Sequence, residues 1–243
     1  MISRIAIAAA SLALPTAVGA ATLTLEADTY IRGGIQANSV NGNAGQLVAA
    51  DNASDNSNFK IYLRYAVDPM VGTISDAELT FTIEFAYPFA SPTLFAYQVY
   101  GMGDSLGDDW IESGAGGITY NTAPGHNPSA YQDMAGSVLL GSFSYVPQEK
   151  VEGDLLTFRA SALDDFLNTG VGSDGLATLI VLAAPDQCCH DSWASMENVD
   201  FAGPSLTYVP AIDPPPPAIP LPAAGWALLL GLGSLVALGR RRG

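Results

Sequence analysis

Leu79, Phe81, Ile83 and Phe85 alternate with Thr80, Thr82 and Glu84, and this period of two predicts a strand with one face toward a core and one toward water. Ile61, Leu63, Tyr65 and Val67 alternate in the same way with Lys60, Tyr62, Arg64 and Ala66, which places the second set on a wet face. Shorter runs at 22–26, 46–50, 94–100, 138–145, 155–159 and 206–209 read as further strands. Residues 177–184 are almost wholly apolar, the pattern of a central strand covered on both faces. Gly, Asn, Asp and Pro fill the gaps, as turns require. A single helical stretch interrupts the series at Ala162 to Asn168. Ser161 stands where an N-cap belongs, Asp164 and Asp165 lie near the positive helix end, and Leu163, Phe166 and Leu167 supply the apolar side. Many short strands with punctuated turns predict an all-β, jelly-roll-type antiparallel sandwich with one short crossover helix.

The two ends depart from this pattern. Arg4 precedes an apolar run from Ile5 to Leu14, and Val18-Gly19-Ala20 supplies the small residues of a cleavage site, so residues 1–20 read as a signal peptide. The β-sandwich domain then occupies 21–210, and a Pro-rich spacer follows at 211–222, where proline cannot join a ladder. Ile219-Pro220-Leu221-Pro222-Ala223 leads into an uncharged stretch ending at Gly239, with Arg240-Arg241-Arg242 directly after it. An apolar span followed by arginines predicts a C-terminal transmembrane helix whose basic end stays on the cytoplasmic side. Residues 219–243 resemble the VPLPA-type PEP-CTERM sorting signals of Gram-negative bacteria, with Ile219 in place of the Val. That resemblance implies signal peptidase and an exosortase-type enzyme as partners. It also implies an inner-membrane intermediate held by the C-terminal helix, then a place at the cell surface or in the extracellular matrix.

Charge narrows the partners. Arg4 and the terminal arginines lie in the sorting segments, which leaves five basic residues against 24 acidic ones, a formal charge of −19 for the remainder. Such a surface repels a phosphate backbone and excludes nucleic acid as a partner. The only two cysteines, Cys188 and Cys189, are adjacent and have no distant partner to staple. A vicinal disulfide, a pair of free thiols, or an incomplete zinc set with His190 all remain open readings.

Several blocks in order resemble the DNRLRE-type β-sandwich, a domain related to carbohydrate-binding module family 96. They are Ala27-Asp28-Thr29-Tyr30-Ile31-Arg32-Gly33, then Ile61-Tyr62-Leu63-Arg64-Tyr65 with Ile74-Ser75-Asp76-Ala77-Glu78-Leu79. Asp109-Trp110-Ile111-Glu112 follows, with Ile118-Thr119-Tyr120-Asn121-Thr122-Ala123-Pro124, in which Tyr120 replaces a second Trp. Leu156-Thr157-Phe158, Asp174-Gly175-Leu176 and Trp193-Ala194-Ser195-Met196-Glu197 complete the series. The resemblance implies a jelly-roll fold and binding of polysaccharide, in some members an acidic one such as alginate. Against an acidic glycan stand the few available bases, Arg32, Lys60, Arg64, Lys150 and Arg159.

Sugar recognition on a sandwich uses aromatic rings stacked on the pyranose and polar groups on its hydroxyls. Trp193, Tyr131 and His126 in turn-rich segments, and Tyr62 with Arg64 as a platform on one sheet face, are the candidate ligand-binding residues. Trp110 and Tyr120 read rather as core or corner residues of their folding block. Asp51 and Asp55 in one acidic loop, Asp104 and Asp108 in another, and Asp28 at the first strand offer hard oxygens to a structural calcium, solvated turn acids being the alternative. Gly103-Asp104-Ser105-Leu106-Gly107 spells Gly-x-Ser-x-Gly, but no helical pattern follows it as a nucleophile elbow requires, and no phosphate-cradling glycine motif precedes a helix, so no catalytic residue is assigned. The expected function is non-catalytic carbohydrate binding by an exported surface protein. The rivals are a structural or adhesive matrix protein and a secreted polysaccharide-degrading enzyme.

Overall fold

The alternating segments form strands, and their apolar sides meet between two sheets. The computed structural model describes residues 19–51, 58–68, 72–86, 94–103, 106–172, 174–185, 187 and 191–211. The strands are β1 (Ala21–Arg32), β2 (Gln46–Leu47), β3 (Phe59–Ala66), β4 (Ile74–Phe85), β5 (Phe95–Met102), β6 (Ser137–Tyr145), β7 (Leu155–Arg159), β8 (Leu176–Ala183), β9 (Ser192–Ala194) and β10 (Ser205–Pro210), with helix α1 (Ser161–Thr169) between β7 and β8. Every pairing is antiparallel.

One sheet runs β1–β10–β4–β7 and the other β1–β3–β8–β5–β6. Strand β1 serves both. Its first residues pair with β10, the register shifts between Leu25 and Ala27, and the rest pairs with β3. A bulge of this kind bends a strand and lets it change sheets. Most consecutive strands thus cross from one sheet to the other, as in jelly-roll sandwiches, while β5 and β6 pair as neighbours within one sheet. The short β9 pairs with the end of β4 and carries β2 at the margin.

Leu63, Tyr65, Leu79, Phe81, Ile83, Val99, Leu179 and Val181 are all fully buried between the sheets. Trp193 lies among them, 4.5 Å from Phe81 and 4.9 Å from Tyr97 between ring centroids. Strand β8 sits between β3 and β5 and is buried on both faces, as its apolar run predicts. Strand β3 differs from expectation. Lys60 and Tyr62, placed by alternation on a wet face, have no exposed surface at all.

Helix α1 makes the crossover from one sheet to the other. Ala160 is its N-cap and makes no side-chain capping bond, so Ser161 is the first helical residue rather than the cap. Asp164 turns to β4 instead, accepting the backbone N–H groups of Ala77 at 2.8 Å and Asp76 at 3.2 Å. Those bonds hold Asp76 at φ 51°, a left-handed conformation costly for a residue with a side chain.

No helix among the described residues is long and apolar enough to cross a membrane. This corrects the expected fold class, which adds a C-terminal transmembrane sorting helix to the sandwich: the described fold is antiparallel β with one nine-residue helix. The segment concerned, with Ile219 to Ala223 and Arg240 to Arg242, lies outside the described residues, as do positions 1–18, Asp55, Asp104, Cys188, Cys189 and His190.

Candidate functional site

The outer face of the β3–β8–β5 sheet carries a second core, because residues 106–136 fold back across it. Ala27, Ile31, Tyr62, Trp110, Tyr120, Tyr131, Met134 and Ile180 form this layer. Trp110 anchors it: its indole N–H donates to Thr178 Oγ1 at 3.0 Å, and its ring meets Tyr62 edge-on at 6.0 Å. Tyr62 donates its hydroxyl to the Pro124 carbonyl at 2.8 Å. Tyr131 donates to the Phe59 carbonyl at 2.7 Å and accepts from the Ala183 N–H at 3.0 Å, so it sews the loop to two strands. Arg64 lies 5.1 Å over the Trp110 ring, donates to the Trp110 carbonyl and pairs with Glu26 at 3.7 Å.

Lys60 points into the same layer. Its Nζ is 3.3 Å from His126 Nδ1, 3.3 Å from Met134 Sδ and 5.0 Å from the Tyr131 ring centre. His126 Nε2 lies 2.7 Å from the Tyr120 carbonyl, which can only accept, so the proton sits on Nε2 and Nδ1 is left to accept from Lys60. Burial pushes the Lys60 pKa down to about 7, against the pull of Asp133 and Asp51. Burial, then the charge of Lys60, lowers His126 to about 4.

These placements decide what the sequence candidates can do. Trp193 is in the inter-sheet core, and Tyr62, Tyr131 and His126 are buried beneath or within the loop, as the stems of Arg64 largely are. None offers an open ring face, so the flat Tyr62–Arg64 platform expected from alternation is corrected: its face is taken by Trp110. Tyr131 does border open space. With Tyr120, Gly33, Gly34, Asn58 and Ser129 it lines a cavity of about 240 Å³. Gly34 has φ 68°, a turn geometry open to glycine, and leaves the mouth free of a side chain. A wider cleft of about 410 Å³ opens where β1 changes sheets, walled by Thr22, Thr24, Glu26, Asp68, Asp174 and Tyr208.

The acidic candidates also separate. Asp51 accepts from Gln132 Nε2 at 2.8 Å, near the cavity, and Asp108 is buried beside Arg64, which reaches its carbonyl at 3.5 Å. Asp28 instead joins Glu112 and Glu197, and carboxylate oxygens of all three lie within 4.8 Å of one another. Asp28 Oδ2 accepts the Met196 N–H at 2.8 Å. Its pKa rises to about 8, chiefly through burial, opposed by that N–H and reinforced by the charges of Glu197 and Glu112. Glu112 rises to about 7, through burial and then Glu197, with the Asp28 N–H and Arg64 opposing. These are the side chains that could hold a cation. Sequence reading missed Glu112 and Glu197 as a pair, although each follows a tryptophan that nails its segment to a core, Trp110 and Trp193.

Residues 19–137 match the sequence profile of carbohydrate-binding module family 96. The match runs from before β1 to the start of β6, and takes in Asp28, Trp110, Glu112 and the cavity residues. It supports a carbohydrate-binding module domain in this chain. No curated protein matches the chain.

Proposed function

We propose that this is an exported surface or matrix protein that binds carbohydrate without transforming it, and that the cavity beside Tyr131 receives a sugar unit. The observation that carries the reading is the family match over 19–137, inside which every residue of the cavity falls. About 240 Å³ suits one sugar ring, and tyrosine edges, an amide, a hydroxyl and open glycine backbone are the groups that hold one. With 24 acidic residues in the chain, the ligand is a neutral glycan rather than a polyuronate. Modules of this kind bind and do not cleave, and the one histidine among the described residues, His126, spends both ring nitrogens on Tyr120 and Lys60. The sorting motif at Ile219 to Ala223 and the arginines after it support delivery through signal peptidase and an exosortase-type enzyme to the surface of a Gram-negative cell.

An array of neutral and acidic polysaccharides, probed with the full chain, tests the reading. Signal on neutral polymers is expected, with a loss of about tenfold or more in Ser129→Trp, which fills the cavity from an exposed position. A flat array sinks it and leaves the structural matrix role.

A further inference from the structure

We propose that Asp28, Glu112 and Glu197 form a calcium site that ties β1 to the loop after Trp110 and the turn after β9. Three oxygens mutually within 4.8 Å all lie within about 2.8 Å of one point, close enough for small side-chain shifts to reach the roughly 2.3–2.6 Å of calcium–oxygen bonds. The acidic residues alone would not make a site. What singles them out is unmet valence: Asp28 is only 1% exposed, yet its Oδ1 has no hydrogen-bond donor, and neither has the buried Oε1 of Glu112. Buried polar atoms almost always find partners. Here what faces them is other carboxylates, an arrangement that a cation relieves.

The cage is held in place from outside. A Cβ on Gly42 would fall 2.2 Å from the Glu112 carbonyl oxygen, so the chain at Gly42 lies hard against the Glu112 backbone. Just beyond it, the Ala44 and Gly45 carbonyls accept hydrogen bonds from Ser195 Oγ and Asn198 Nδ2, each 2.7 Å, which fix the turn bearing Glu197. Preorganised carboxylates of this kind spend little order on capturing an ion. All three ligands are oxygen, which selects a hard cation over zinc or copper. Carboxylates that can bind through one oxygen or two, with water entering at exposed Glu197, suit the six to eight ligands of calcium better than the strict octahedron of magnesium.

The test uses the full chain stripped with a chelator. Calcium titrated to about 1 mM should raise its melting temperature, and terbium should bind with emission sensitised by Trp110, two residues from Glu112. Glu197→Gln, at an exposed position, should fold and weaken both responses about tenfold or more, while Glu152→Gln, an exposed acid outside the cluster, should leave them unchanged. No calcium-dependent shift in the unsubstituted chain, or equal responses in the chain and its Glu197→Gln variant, would overturn the site. An equal shift with magnesium would overturn the choice of ion. The glycan array reads a different cavity, so either proposal can fail without the other.

Discussion

On the outer face of β4, Glu78 and Thr80 stand beside Arg159 and Thr157 of β7 and Thr207 and Ser205 of β10, in cross-strand rows open to water. At the corresponding positions of β3, Lys60 and Tyr62 are sealed under residues 106–136. Both strands carry the same alternation, and their polar faces end in opposite surroundings. The Arg159–Glu78 contact at 2.5 Å is a solvated pair on a sheet surface. Lys60 has traded water for an imidazole, a thioether and an aromatic ring. A polar residue at an outward position therefore reports the period of the strand, and says nothing about what lies over it.

The contrast can be broken first at its anchor. Trp110→Ala should cost about 3–5 kcal/mol, since it empties a buried ring site and strands Thr178 Oγ1; urea unfolding measures it. A loss below about 1 kcal/mol would mean that the loop does not seal the sheet.

Lys60→Met sharpens the comparison through pH. Removing a desolvated amine gains stability, but leaves His126 Nδ1 without its donor, so the net change at pH 7 should stay within about 1 kcal/mol. The pH slope is the clearer readout. The folded pKa is depressed from 10.5 to about 7, so between these values the unfolded chain holds more protons. Its contribution to stability is then fully present above about pH 10.5 and lost as the pH falls through 7. Melting curves of Lys60→Met should lack this component. An unchanged slope would place Lys60 in water.

The smallest effect belongs to the open face. Thr157→Ala, exposed on β7, should change stability by no more than about 0.5 kcal/mol in the same urea assay. A larger cost would show that this face, too, is covered.

Much of the sandwich was readable along the chain. The β4 and β8 patterns, the short helix and the turn chemistry point to the elements found, because each rests on periods of a few residues. The site was less readable. Of the residues singled out along the chain, Tyr131 borders a cavity and Asp28 lies in a carboxylate cluster. Tyr62 and Trp193 instead pack cores, and Asp51 and Asp108 keep their own partners. Asp28 gave no sign of Glu112 and Glu197, which are 84 and 169 positions further along.

The sequence by itself determined the strand periods, the acidic balance and the segments that resemble a carbohydrate-binding module. Only the tertiary structure decided which polar faces stay wet, that β1 changes sheets at its bulge, and which acids meet. Local spacing governs backbone conformation over a few residues, whereas coverage and clustering depend on segments a hundred residues apart arriving at the same place. No period along the chain encodes that meeting; Trp110 and Trp193, by burying themselves in two different cores, bring Glu112 and Glu197 to Asp28.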